Sequence, residues 1–407
     1  MKHKSGKIIS AVKLVAFATA ILMALSPFAW AKSKESKTKM GKAEVPQFKV
    51  MTRNLYLGAD IFKVVEAAQT DPNLVPYAVA DVYQTMLFTN FWERAEAIAD
   101  EIAHAKPQVV GLQEVSAFYT QTPGDFMTGN PVAADHEVID FYKVLDAALK
   151  ARKMYYKPFV VTNADVELPM IDPDSPTYLS DVRMVDHDVI LVRKGYPAVE
   201  VMTGNYGAAL GLNLGGVDVE FTRGFGIVDV TIKGFAYRFV NTHLEIQSAP
   251  DSVFRIVQYN QMLELLGTID FIEALYKSKP VILVGDLNSD PEDVPGYGLH
   301  PDDGYLPYVP PYMVAADAGY LDTWLLQKKY DEGYTSGFDE YVSDPNATLT
   351  TRIDHVFLDP KGLRVNSVKS VVVGDEIEDM TPSGFWPSDH AGVVSKIKLV
   401  KPKKHPY

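Results

Sequence analysis

The chain has 407 residues with 27 Gly, 26 Pro and no Cys, which excludes collagen-like repeats, disulfide-stapled miniproteins, and zinc-thiolate, iron-sulfur or thiol chemistry. Its 47% hydrophobic and 22% charged residues suit one large domain with a sizeable core. A formal net charge of -13 disfavours a sequence-independent grip on a polyanion, although carboxylates massed around a divalent cation inflate that count without facing substrate.

Lys2, Lys4, Lys7 and Lys13 precede the apolar run Leu14 to Leu25, and Ala29-Trp30-Ala31 follows as a small-x-small cleavage site. Residues 1–31 therefore read as a signal peptide cleaved near Ala31, which predicts a secreted or periplasmic and still more acidic product. Pro27 and the shortness of the run argue against an uncleaved anchor. Residues 32–44 read as a flexible lysine-rich linker, 45–400 as one domain without repeats, and 401–407 as a tail.

Strand-length apolar runs recur at Phe48 to Thr52, Val109 to Leu112, Val189 to Val192, Phe225 to Ile232, Tyr237 to Asn241, Val281 to Val284, Ile353 to Leu358, Val368 to Val373 and Val393 to Leu399. Helical spacing joins Trp92, Ala95, Ile98, Ala99 and Ile102, and again Ile256, Tyr259, Leu263 and Leu266 in a segment from Asp251 to Tyr276. A short turn with Gly234 predicts an antiparallel hairpin between the runs at 225–232 and 237–241. Interspersed strands and helices predict an α/β sandwich with mixed sheets.

Chemistry-bearing residues collect where these runs end: Arg53-Asn54, Gln113-Glu114, Asn241 to Glu245, Gly285 to Asn288, Arg352 to His355, and Ser388-Asp389-His390. They are the ingredients of metal-assisted phosphoester hydrolysis: hard carboxylate and amide oxygens for magnesium, histidines for protons or phosphate, and carboxylates to orient them. Each alone has a plainer reading. Asn54 and Asn288 are good turn formers or caps, Asp354 is a candidate ion-pair partner of Arg352, and His243 a candidate structural histidine. His187 reads either as leading into the site or as a solvent-facing turn histidine, and Arg223 and Arg255 either as phosphate clamps or as surface ion pairs.

In order, Asn54 in MTRNLYLGAD, Glu114 in VVGLQEV, His243 in FVNTHLE, Asp286 and Asn288 in ILVGDLNSDP, Asp354 in RIDHVFL, and Asp389-His390 in WPSDHAGVV resemble the endonuclease/exonuclease/phosphatase superfamily. That superfamily includes DNase I-like nucleases, AP endonucleases, neutral sphingomyelinases and inositol polyphosphate 5-phosphatases, and the resemblance spans about Phe48 to Leu399. It implies a four-layer DNase I-like sandwich of two mixed sheets with helices outside. It also implies that Glu114 holds the metal, usually magnesium with manganese as a substitute, with Asn54 and Asp389 nearby. His390, oriented by Asp354, would activate the attacking water or bind phosphate. Asp286 would align the nucleophile or assist the proton, while Asn288 and His243 would stabilise charge on the phosphoryl oxygens. The reaction implied is in-line attack on phosphorus.

The substrate is a phosphoester: a lipid head group, a nucleic acid or a small phosphodiester. Ser289-Asp290-Pro291 stands where inositol 5-phosphatases usually carry an aromatic residue and an arginine, which points away from that subfamily. Gly296 to Met313, with four tyrosines among five prolines, suggests a stiff aromatic wall beside the site. Phe385 and Trp386 read first as a packed loop end, with a membrane-surface contact as the alternative. The expectation is an exported, monomeric, metal-dependent phosphodiesterase; the alternatives are a secreted DNase I-type nuclease and a binding protein that has lost catalysis. A serine hydrolase lacks its G-x-S-x-G elbow.

Overall fold

The computed structural model describes residues 45–402 except 215–216, 249–251, 301–302 and 329–330, so the expected signal peptide and lysine-rich linker lie outside the described residues. In the strand Gln47–Asn54, Phe48 and Val50 enter one apolar cluster and Met51 another, so both faces are covered. Val281–Asp286 behaves alike: Ile282 and Val284 share the cluster of Phe48, while Val281 and Leu283 enter a third. Side chains alternate across a strand, so two-sided burial of this kind requires a layer on each face.

The layers follow. Gln47–Asn54 pairs with Val109–Gln113 in parallel and with Gly392–Val400 antiparallel, inside an eight-stranded mixed sheet. Phe235–His243 pairs with Val281–Asp286 in parallel and with Gly224–Ile232 antiparallel, inside a six-stranded one. The cluster of Phe48, Val109, Ile190, Val230, Phe239, Ile282 and Val356 fills the space between the sheets. The helices Val75–Phe88, Phe91–Ala105 and Phe141–Ala151 pack outside the larger sheet, and Val253–Leu275 with Pro311–Asp317 outside the smaller. This is the expected four-layer α/β sandwich, and the hairpin through Gly234 forms as expected.

Two expected helix faces are shifted by a residue or so. Trp92 is exposed and Phe91 is buried in its place, while in Val253–Leu275 the core takes Ile256, Met262, Leu265 and Ile269 and leaves Leu263 outside. The aromatic stretch at 296–313 forms the hairpin Gly296–His300 with Gly304–Tyr308, against the helix Val253–Leu275 rather than as a wall of the cavity described below. Tyr308 is buried there, its hydroxyl donating to Gln258 Oε1 at 2.8 Å. Phe385 and Trp386 are buried with Tyr56 and Val342, and the Trp386 ring stacks on Phe338 with centroids 4.2 Å apart. Their apolar surface is spent on packing, which corrects the membrane-contact alternative.

Directly beneath the strand ends, the sheets are clamped by polar side chains. Gln113 Nε2 donates to Asn241 Oδ1 at 2.6 Å, and Asn241 Nδ2 donates to the Leu112 carbonyl at 2.9 Å. The clamp requires Gly111, because a Cβ there would lie 2.4 Å from Asn241 Oδ1 and 2.5 Å from Val284 Cγ2. Gly111→Ala is therefore expected to destabilise the fold by about 1–3 kcal/mol, the usual cost of overpacking. Urea denaturation measures this; an unchanged midpoint would show that the sheets separate freely at this point.

Candidate active site

The same alternation that builds the inter-sheet core delivers the functional residues. Asn54, Asp286 and Asp354 share the parity of Phe48, Ile282 and Val356, and His243 that of Phe239, so at the strand ends each continues the inter-sheet face. Register places His243 beside Asp286 and Asp286 beside Asp354. Asn54 lies beside Gln113, one residue before Glu114. Asp389 and His390 immediately precede the strand Gly392–Val400, which runs antiparallel to Gln47–Asn54 and so starts at the same end.

His390 Nδ1 lies 2.8 Å from Asp354 Oδ2 and its Nε2 lies 3.8 Å from Asp286 Oδ2. Asp354 is therefore the partner of His390 and not of Arg352, which pairs instead with Asp322 at 2.8 Å. Asp286, Asp354 and His390 place one candidate ligand atom each within 4.8 Å of one another. The Asp354–His390 hydrogen bond accounts for much of that closeness, since it already occupies Nδ1. His355, next in sequence, is turned away, with Nε2 2.9 Å from the Ser289 carbonyl.

Across the cavity, Glu114 has φ of 54°, a left-handed conformation that costs a non-glycine residue on the order of 1 kcal/mol. The contacts that hold it come from His187: Val115 N–H donates to the His187 carbonyl at 2.9 Å, and His187 Nδ1 lies 3.0 Å from the Val115 carbonyl. His187 is thus neither at the site nor in a turn; it braces the metal-candidate loop from within the strand Leu179–Arg193. The Glu114 carboxylate accepts from Asn54 Nδ2 at 3.0 Å and from Leu57 N–H at 2.7 Å. Asn54 Nδ2 also donates to Asp286 Oδ2 at 3.1 Å, while its Oδ1 accepts from Tyr56 N–H at 2.8 Å. In this arrangement Asn54 bridges Glu114 and Asp286 with its amide nitrogen, and its oxygen is occupied elsewhere.

The electrostatics separate the two sides. Burial and then the charge of Asp389 raise the Glu114 carboxyl above its ordinary range, and burial raises Asp389. Two mutually repelling, enclosed carboxylates are a hard-oxygen donor set that fits a divalent cation such as magnesium or manganese. Burial and then Asp354 push Asp286 up to about 7. For His390 burial alone would lower the pKa, but Asp354, Asp389 and Asp286 outweigh it and raise the ring well above 6.5. Burial, and after it Arg223, push His243 the other way.

These groups open into a cavity of about 260 Å³ lined by Glu114, His243, Asp286, Asn288, Asp389 and His390, with an apolar rim that includes Leu57, Ile61, Phe62 and Ile246. Every residue expected at the site is at this end of the sandwich, with Asp354 behind His390. A larger groove of about 2050 Å³ along the strand Arg364–Val373 holds none of them.

Buried arginines were not legible as site residues. Arg53 forks onto Glu101 at 2.9 and 3.0 Å and also donates to the His390 carbonyl. Arg94 donates to the carbonyls of Leu55, Tyr56, Thr89 and Pro387 at 2.8 to 3.1 Å, fastening the loops that carry Glu114's partner Leu57 and Asp389. Arg255 stacks on Tyr308, 5.0 Å from its centroid, and takes no part in the cavity.

The sequence profile described as the Endonuclease/Exonuclease/phosphatase family matches residues 89–390. No curated protein sequence matches the chain. Among solved structures, a truncated TDP2 from Caenorhabditis elegans is 17% identical, covers 86% of this chain and 97% of its own, and has a TM-score of 0.46. A mannosyl-6-phosphatase from Bacteroides thetaiotaomicron is 17% identical, with 87% and 99% covered and a TM-score of 0.48. An endonuclease/exonuclease/phosphatase family protein from Bacteroides thetaiotaomicron is 16% identical, with 89% and 98% covered and a TM-score of 0.49.

Proposed function

The chain belongs to the endonuclease/exonuclease/phosphatase family, and from that premise we propose that it is an exported, divalent-metal-dependent phosphodiesterase whose attacking water is activated by the His390–Asp286 pair. The observation that carries the reading is the Asp354–His390–Asp286 array facing Glu114 and Asp389 across one cavity. Glu114 and Asp389 would hold magnesium or manganese, which when bound supplies positive charge against the phosphoryl oxygens.

The chain's own residues supply the remainder. A water oxygen at ordinary hydrogen-bond distance, about 2.8 Å, from both His390 Nε2 and Asp286 Oδ2 fits their 3.8 Å separation. Asp286, with a pKa near 7, is suited to take a proton from it. The three carboxylates that raise His390 favour keeping its proton, so of its two expected roles phosphate contact is the stronger in this charge balance. Asn288 is pinned beside them, its N–H donating to Asp286 Oδ1 at 2.8 Å and its Nδ2 to the Leu244 carbonyl at 2.9 Å.

The lining favours a small phosphodiester or a lipid head group over a nucleic-acid strand. Among the described residues of the cavity, Arg223 is the one arginine or lysine, whereas Asp60, Asp186 and Glu340 add negative charge around an apolar rim. Such a surface has little with which to displace counterions from a polyanion. Hydrolysis of bis-nitrophenyl phosphate by the chain starting at Lys32 tests the proposal. Turnover with magnesium, abolition by chelator and recovery with manganese are expected; turnover indifferent to chelator, or none with either metal, would return the weight to a binding protein.

A further inference from the structure

Arg223 lies just before the strand Gly224–Ile232, which pairs with the strand carrying His243, the last register pair being Phe225 with Thr242. This placement puts its guanidinium in the cavity wall, yet the group is neither a free phosphate clamp nor a surface ion pair. One amino nitrogen lies 3.1 Å from His243 Nδ1 and the other 3.2 Å from Glu245 Oε1. Glu245 is itself buried and anchored, its N–H donating to Gln261 Oε1 at 2.8 Å. The arginine is therefore held rigidly against the ring.

The hydrogen-bond accounting of that ring has one solution. A guanidinium carries only donors and keeps its charge, so His243 Nδ1 must offer a lone pair. The other ring nitrogen, Nε2, lies 3.2 Å from Asn288 Nδ2. That amide is oriented with nitrogen inward because Nδ2 donates to the Leu244 carbonyl at 2.9 Å. Both neighbours are thus donors, and a neutral imidazole accepts at only one nitrogen. Arginine has no alternative, so Nδ1 accepts, Nε2 carries the hydrogen, and the Asn288 approach is a close contact rather than a hydrogen bond. The nearest acceptor for Nε2–H is Asp286 Oδ2 at 3.6 Å, long enough to leave the hydrogen available to the cavity. Burial and the charge of Arg223 also oppose a second proton on the ring.

Resting on the phosphoesterase reading of the cavity, we propose that Arg223 is a positioning residue that locks His243 in the neutral, Nε2-protonated form, making this ring a hydrogen-bond donor to a phosphoryl oxygen and never the base. The two histidines of the site are then wired in opposite senses. His390 has a carboxylate behind Nδ1 and favours its proton; His243 has a guanidinium there and cannot take a second one.

Long-range proton–nitrogen NMR of the full chain labelled at histidine, near neutral pH and without substrate, reads the tautomer directly, with His243→Gln identifying the signal. An unprotonated Nδ1 and a protonated Nε2 are expected. A proton on Nδ1, or on both nitrogens, overturns the proposal whatever the chain hydrolyses, so its failure is separable from that of the phosphoesterase reading. Arg223→Met should mix the tautomers and lower kcat about tenfold with little change in KM, the loss expected when an oxyanion donor is misaligned rather than removed. Arg223→Lys keeps a cationic donor beside Glu245 and should restore the tautomer and part of kcat. An unaltered ring and unaltered kcat in Arg223→Met would also overturn the assignment.

Discussion

Glu114→Gln is expected to lower metal-dependent turnover about a thousandfold while leaving the fold intact. The side chain is held by two donors, Asn54 Nδ2 and Leu57 N–H, and sits on a backbone with φ of 54°. Glutamine is isosteric, yet it has one oxygen instead of two and lacks the charge that makes the pair with Asp389 a hard cation site. Charge stabilisation supplied by a catalytic metal is worth several kcal/mol. At about 1.4 kcal/mol per factor of ten, that corresponds to about a thousandfold. Thermal melting without metal should shift by only a few degrees, because relief of the Glu114–Asp389 repulsion offsets the weakened hydrogen bond to Leu57. Magnesium titration by calorimetry gives the independent readout: affinity should collapse together with kcat. Retained affinity alongside retained turnover would move the metal site to Asp286, Asp354 and His390, whose candidate ligand atoms lie within 4.8 Å of one another.

The site was legible because its residues sit at the ends of apolar strands, where an unbroken run such as Val281 to Val284 stops at a glycine and a carboxylate. The layer order was legible for a related reason: strands covered on both faces lose their alternation and stand out as runs. The long strand Tyr156–Ile171 was missed because the opposite holds there. It is covered mainly on one face, carries Lys157, Asn163, Asp165 and Glu167, and slips register between Thr162 and Asp165, so no run of strand length survives in it. Val75–Phe88 was missed as a helix because Pro76, tolerated in the first turn, reads as a breaker. The deepest gap concerns arginine. Arg53 reaches a carbonyl 337 residues away and Arg94 one 293 residues away; nothing local distinguishes such a side chain from a solvated one. Arg223 was visible beside the site motif but ambiguous, and only the contacts at His243 and Glu245 decide between clamp, ion pair and orienting group.

Asp354→Asn is expected to reduce kcat by about a hundredfold or more and to spare the fold, whereas His390→Ala should cost at least as much. The reduction follows from what the carboxylate does: at 2.8 Å from Nδ1 it fixes the ring and offsets the charge of a protonated imidazole. An amide keeps the shape but loses the charge, and orienting carboxylates of this kind contribute factors of about a hundred to ten thousand. Stability should change little, because Asp354 Oδ1 has no hydrogen-bond partner to lose and Asp354 N–H keeps its bond to Thr335 Oγ1 at 3.1 Å. The decisive comparison is the double variant. If Asp354 acts only through His390, then Asp354→Asn should cost almost nothing further once His390 is alanine, a strongly non-additive cycle of the kind expected for residues that work as one unit. Additive losses would mean that Asp354 acts on its own account, through the field that raises Asp286, and the array would then be two carboxylates sharing a proton load instead of a histidine with its support.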